Sequence, residues 1–225
     1  MSVAQNIAYF QDKLAGTACK LIAVSKTQSN EAIMEAYQAG QRIFGENKVQ
    51  ELTAKYEALP KDIEWHLIGH LQTNKVKYVA PFVHTVQSVD SLRLLQEINK
   101  QARKHDRVQN CLLQIYIAEE ETKFGLSLPE AIGLLSSPEM EGMAHIRITG
   151  VMGIATNTPD EDQLRKEFRT MKTGFNQLKQ QFFAGSDAFR EISMGMSSDF
   201  ELAVEEGSTM VRVGSSIFGA RNYAV

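Results

Sequence analysis

The sequence predicts an α/β chain folded as one (β/α)8 barrel with an extra N-terminal helix. Three observations carry this. Eight short apolar runs of strand character alternate with amphipathic helical segments. The connections between them are short, as in chains that build a parallel sheet. Eight units close such a barrel, and 225 residues falls within the range of about 200 to over 400 residues in which barrels occur. An open doubly wound sheet is the alternative with the same alternation. No composition shift or long linker marks a second domain, so residues 1–225 read as one unit.

SVAQNIAYFQDKLAG precedes the first strand and reads as a helix packed across one end. LIAVS (21–25) is the first strand. The helix SNEAIMEAYQAG follows, with Ser29 as N-cap and Gly40 as its stop. Arg42–Gly45 is the second strand, and ENKVQELTAKYEAL is a helix ended by Pro60. EWHLIG (64–69) is the third strand; LQTNKVKYVA is a short helix closed by Pro81. VHTVQSV (83–89) is the fourth strand. SLRLLQEINKQARKH then places Leu92, Leu95, Ile98 and Ala102 on one face.

CLLQIYIA (111–118) is the fifth strand and LPEAIGLLSS its helix. HIRITGVMGIA (145–155) contains the sixth. Thr158-Pro159-Asp160-Glu161 has the form of a capping box. It opens a long helix whose Leu164, Phe168, Met171, Phe175, Leu178 and Phe182 face a core. Arg190–Met194 is the seventh strand, SSDFELAVEEG a helix, and MVRVG (210–214) the eighth strand. AGSDAF (184–189) reads as a surface loop. Lys100, Arg103, Lys104 and Arg107 read as a solvated helix end.

Composition removes several classes of function. With 43% hydrophobic and 23% charged residues, the chain is not disordered. A net charge of -3 argues against nucleic-acid binding through bulk positive charge. No stretch approaches the about 18 apolar residues of a membrane span, and the N-terminus lacks the pattern of a signal peptide. The two cysteines, Cys19 and Cys111, make no disulfide framework and read as small buried hydrophobes in the reducing cytoplasm.

Barrel active sites lie at the carboxyl ends of the strands. The first strand ends Ser25-Lys26-Thr27, the second Gly45-Glu46-Asn47-Lys48, and the third carries His66 and His70. The sixth ends Met152-Gly153, the seventh SMGMSSD (193–199), and the eighth Arg212-Val213-Gly214-Ser215-Ser216. Small and hydroxyl residues after strands seven and eight free backbone N–H groups to face an anion, the usual place for phosphate in barrels. A lysine at the barrel mouth, with its pKa lowered by burial or nearby cations, offers a free amine for a Schiff base. A lysine opposite a phosphate site suits pyridoxal phosphate, and a Schiff-base aldolase on a phosphosugar uses similar parts.

Seven motifs then carry a resemblance: AVSKT (23–27), FGENKVQE (44–51), WHLIGHLQTNK (65–75), TKFGL (122–126), GVMGIAT (150–156), SMGMSSD (193–199) and VRVGSSIFGAR (211–221). From Leu21 to Arg221 the chain resembles the pyridoxal phosphate homeostasis proteins, cytoplasmic single-barrel relatives of the N-terminal domain of alanine racemase. The resemblance implies a TIM barrel of the fold-type III class and pyridoxal 5'-phosphate (PLP) as cofactor. It implies Lys26 as the residue that forms the internal aldimine. It assigns Ser193, Gly214 and Ser215 to the phosphate cradle, Arg212 to the pyridine nitrogen, Asn47 to the ring hydroxyl side and Met152 to the pocket wall. His66 and His70 stand in a motif without an assigned role. The family often has proline shortly after the lysine; this chain has Ser29, which caps the next helix equally well.

The resemblance also implies binding without robust turnover. Arginine only donates hydrogen bonds, so at the pyridine nitrogen it meets an unprotonated ring, a weaker electron sink than one held by aspartate. Racemization needs a second base, which in alanine racemase comes from a separate C-terminal domain; the chain ends at Val225, soon after the eighth unit, and no tyrosine falls in a site motif. The expected partners are PLP and PLP-dependent apo-enzymes, with no nucleic acid and no membrane, and the expected state is a monomer. The rival readings are a low-activity amino-acid racemase or lyase, and a phosphosugar aldolase.

Overall fold

The computed structural model describes residues 2–118 and 124–219. The eight strands β1 (Lys20–Val24), β2 (Ile43–Glu46), β3 (Glu64–Leu67), β4 (Thr85–Val89), β5 (Gln109–Gln114), β6 (Ile146–Met152), β7 (Glu191–Ser193) and β8 (Met210–Val213) pair in sequence order. All pairings are parallel, and β8 returns to β1 through Lys20↔Met210 to Ala23↔Val213, closing the barrel. The helices are α1 (Val3–Leu14), α2 (Asn30–Gln38), α3 (Val49–Ala58), α4 (Val76–Val79), α5 (Leu92–Lys104), α6 (Leu128–Leu135), α7 (Glu161–Phe182), α8 (Phe200–Glu205) and α9 (Ser215–Phe218).

Helix starts follow hydroxyl and carboxylate caps. Ser29, Ser91 and Ser127 each accept a backbone N–H of the first turn, worth about 0.5–2 kcal/mol apiece. Ser127 and Glu130 form a reciprocal capping box, as do Ser2 and Gln5. The box expected at Thr158 is not formed. Asp160 caps α7 instead, because its carboxylate reaches the amides of both Asp162 and Gln163.

A continuous apolar core lies between the sheet and the helices, with Phe44, Trp65, Leu95, Phe168 and Ile192 buried in it. The stripe on α7 faces this core through Leu164, Phe168, Met171, Phe175 and Leu178, as its spacing requires. Two sequence readings are corrected. Phe189, expected in a surface loop, is fully buried and stacks on Phe183 and Phe175, with ring centroids 4.2 and 4.9 Å apart. Arg107, expected on a solvated face, donates to the carbonyls of Ala80 and Val83 at 2.5 and 2.7 Å and ties α5 to the α4–β4 connection.

Residues paired across a parallel sheet share a face, so register identifies the barrel interior. Ile22 pairs with Arg212, and Ser193 pairs with both Met152 and Met210. The interior is therefore partly polar: Arg212, Ser193, Gln87 and His66 are all buried there. No helix among the described residues is long and apolar enough to cross a membrane.

Candidate cofactor pocket

At the carboxyl ends of the strands lies a cavity of about 370 Å³, within the about 300–1,000 Å³ of small-molecule pockets. Lys26 and Asn47 line one side, Met196, Ser197 and Ser198 another, with Gly214 and Ser215 beside them and Arg212 below. Five of the seven sequence-predicted residues (Lys26, Asn47, Arg212, Gly214 and Ser215) are thus brought together. Ser193 and Met152 are not on the cavity wall; both are buried in the interior beneath it.

Ser193, expected in the phosphate cradle, is hydrogen-bonded within the interior. Its hydroxyl accepts from Arg212 Nη1 at 2.7 Å and donates to Gln87 Oε1 at 2.8 Å. Gln87 Nε2 lies 2.8 Å from His66 Nδ1. A chain of four polar groups therefore runs down the barrel from Arg212 to His66. The sense of the bonds follows from one residue: arginine only donates, so Ser193 turns its O–H toward Gln87. Arg212 Nη2 donates to the carbonyl of Gly153 at 2.8 Å. Burial pushes the guanidinium pKa down to about 10, against the attraction of Asp199, so it stays charged at neutral pH. Those two bonds use two of five guanidinium donors.

Asn47 is held by a close backbone crossing. A Cβ at Gly69 would sit 2.3 Å from the Asn47 carbonyl oxygen, so the third-strand motif needs glycine there to let the second loop pass. Asn47 Oδ1 is buried and has no hydrogen-bond partner among the described residues. The SMGMSSD turn depends on Gly195, with φ +94° and a would-be Cβ 2.5 Å from Ala203 Cβ. Met196 N–H donates to Asp199 Oδ1 at 2.5 Å, and Gly214 N–H to Ser197 Oγ at 3.4 Å, which joins the two loops.

Lys26 sits between two tethered residues. Lys55 Nζ donates to the Ser25 carbonyl at 2.7 Å, to Glu46 Oε1 at 2.8 Å and to Glu51 Oε1 at 2.6 Å. Ser25 Oγ donates to Glu46 Oε1 at 2.6 Å. Thr27, at φ 64°, donates its N–H to Glu51 Oε1 at 2.5 Å. Burial raises the Glu46 carboxyl above its ordinary value, with Lys55 and Ser25 opposing.

The model of the family described as alanine racemase, N-terminal domain, matches residues 1–222. A pyridoxal phosphate homeostasis protein from Haemophilus influenzae is 38% identical over 237 residues, covering 100% of this chain and 98% of that protein.

The chain belongs to the pyridoxal phosphate homeostasis protein family.

A second member, from Aquifex aeolicus, is 41% identical and covers 91% of this chain and 88% of that one. The structure of PipY of Synechococcus elongatus without PLP superposes with a TM-score of 0.89 at 36% identity, over 97% of this chain and 100% of that chain. The same protein with PLP bound gives 0.86 at 36% identity, with the same coverage. Alanine racemase from Bartonella henselae shares the fold, with a TM-score of 0.74 at 16% identity, over 99% of this chain and 60% of that one.

Of the family motifs, Thr122 and Lys123 of TKFGL and Ala220 and Arg221 of VRVGSSIFGAR lie outside the described residues. Sequence reasoning did not find Gln28, Ile68, Ile154 and Asn157, which also line the cavity. Ile154 and Asn157 follow GVMG closely, so the loop after β6 was the available signal. The two motif histidines separate. His66 is buried at the opposite end of the polar chain, while His70 is exposed and pairs with Asp90 at 3.2 Å. Neither lines the cavity.

Proposed function

We propose that the protein binds PLP in this cavity and serves its intracellular homeostasis, without robust turnover. The observation that carries the reading is one amine, Lys26, sharing a cavity with a buried cation, Arg212, and an unpartnered buried oxygen, Asn47 Oδ1. These residues fit a phosphorylated pyridine aldehyde. Lys26 supplies the amine, Arg212 a donor for the ring nitrogen, and Asn47 an acceptor for a ring hydroxyl. The amides and hydroxyls of Ser197, Ser198 and Ser215 supply phosphate donors. When bound, the cofactor contributes an electrophilic carbonyl and an electron-withdrawing ring.

The chain's own residues argue for holding over turnover. A charged arginine cannot accept a proton, so Arg212 does not support a protonated ring nitrogen. No tyrosine lines the cavity among the described residues, so the base that alanine racemase uses has no counterpart there. Relatives are named homeostasis proteins.

In this reading the protein keeps free aldehyde low in the cytoplasm, works as a monomer and passes PLP to apo-enzymes. The two free thiols suit a reducing compartment. The large exposed apolar side chains Tyr9, Tyr78, Val108 and Phe124 stand on separate elements rather than in one face.

The test is reconstitution. Protein incubated with PLP and desalted should be yellow, and Lys26→Ala should lose the visible band. Colourless wild-type protein overturns the reading. Substantial racemase, transaminase or lyase turnover across common amino acids overturns the non-catalytic part and favours the enzyme reading.

A further inference from the structure

The opposite mouth of the barrel, at the amino ends of the strands, holds a second cavity of about 220 Å³. Glu64 and His66 are two residues apart on β3 and so project from the same face of the strand. His84 immediately precedes β4, and its ring stacks on that of His66 with centroids 5.4 Å apart and planes 9° apart. His84 Nε2 lies 3.7 Å from Glu64 Oε2. One ligand atom from each of the three lies within 4.8 Å of the others. His66 is only 2% exposed, yet its Nε2 has no hydrogen-bond partner among the described residues. A buried, unpartnered ring nitrogen beside a second imidazole and a carboxylate is a costly arrangement unless something binds there.

We propose that Glu64, His66 and His84 form a binding site for a divalent transition-metal ion such as Zn2+, at the end of the barrel opposite the cofactor cavity. Two imidazoles and one carboxylate are a ligand set for Zn2+ and its first-row neighbours rather than for Mg2+ or Ca2+. Around a tetrahedral ion with metal–ligand bonds of about 2.0–2.2 Å, ligand atoms stand about 3.3–3.6 Å apart. Separations of up to 4.8 Å therefore close by up to about 1.5 Å. Glu64 and His84 are half exposed, with side chains 47% and 45% accessible; His84 Nδ1 lies 2.9 Å from Thr85 Oγ1, which leaves Nε2 on the Glu64 side. His66 is fixed by Gln87 at Nδ1. With the metal on Nε2, the ring proton resides on Nδ1, so Gln87 turns its amide to present Oε1 to it and gives up the hydrogen bond that Oε1 accepts from Ser193. This is how outer carbonyl and carboxamide groups orient metal-bound imidazoles.

Two of the three cationic neighbours are offset by a carboxylate. Lys20, Arg147 and Arg190 line the same cavity; Lys20 and Arg190 face Glu191, at 2.6 and 3.6 Å. None of the three ligands touches the upper cavity, and the row through Gln87 and Ser193 to Arg212 is the connection between the two ends.

The experiment uses untagged full-length protein, stripped with a chelator and titrated with Co2+ alone, then with Zn2+ in competition. One equivalent of Co2+ should bind with visible d–d bands, and Zn2+ should displace it. Glu64→Gln and His84→Gln sit on half-exposed side chains and preserve the fold by circular dichroism; each should weaken Co2+ binding at least tenfold. Absence of saturable uptake by wild-type protein up to about 1 mM, or unchanged affinity in both variants, overturns the proposal.

Discussion

Lys55→Met should be among the most damaging single changes outside the cavity. Lys55 is 5% exposed and Glu46 is fully buried, so the variant leaves a carboxylate in the interior without its cation. Removing one partner of a buried pair costs about 3–5 kcal/mol. For a chain of this size, with roughly 2–4 °C of Tm per kcal/mol, the melting temperature should fall by roughly 6–20 °C. The same ammonium holds the Ser25 carbonyl and Glu51, which in turn holds Thr27, so the backbone on both sides of Lys26 loosens. PLP retention should fall with stability. The loss should also depend on pH with a definite sign. Burial already raises the Glu46 carboxyl, and without Lys55 it rises further. A carboxyl whose folded pKa exceeds its unfolded value is stabilised by protonation, so the deficit against wild type should be largest at neutral pH and shrink on acidification. Adding Glu46→Gln removes the stranded charge and should recover at least about 1 kcal/mol. Urea denaturation of the wild type, Lys55→Met, Glu46→Gln and the double variant at pH 5 and 7.5 measures all of this. A Lys55→Met loss below about 1 kcal/mol, or one that grows on acidification, would refute the buried-pair account.

Three further outcomes are expected. Arg212→Gln should weaken PLP binding by roughly 10- to 150-fold, the equivalent of losing a charge-assisted hydrogen bond of about 1.5–3 kcal/mol, as followed by equilibrium dialysis. Ser193→Ala leaves Arg212 Nη1 and Gln87 Oε1 without the hydroxyl between them; it should cost about 1–3 kcal/mol in urea unfolding. Its effect on PLP affinity should be smaller than that of Arg212→Gln. Gly195→Ala places a methyl 2.5 Å from Ala203 Cβ at a left-handed backbone position, so its melting temperature should fall by at least several degrees.

The alternation of strands and helices was legible because parallel strands, buried on both faces, read as apolar runs, while helices read at their own period. That Lys26, Asn47, Arg212, Gly214 and Ser215 line one cavity was legible because they stand at or just past strand ends, which a barrel gathers at one mouth. What escaped was decided by tertiary contacts. Lys55 looks like an ordinary helix-surface lysine at i+4 from Glu51, and only the approach of β2 buries it. Phe189 sits among loop residues, and only the faces of Phe175 and Phe183 draw it inward. Ser193 was placed correctly at a strand end, but whether its hydroxyl rises to the mouth or sinks to the interior depends on register, which one sequence does not encode locally.

The polar chain through the barrel constrains how this scaffold can be altered. Position 212 is read downward by Ser193, Gln87 and His66, each oriented by the donor above it. Replacing the arginine with a carboxylate puts an acceptor at the head of the row. Ser193 would then have to point upward, Gln87 to offer its amide N–H instead of its oxygen, and His66 to exchange tautomers. One substitution in the cavity lining therefore reaches the opposite end of the barrel, through a hydroxyl rotation, an amide flip and a tautomer exchange in residues whose identities stay the same.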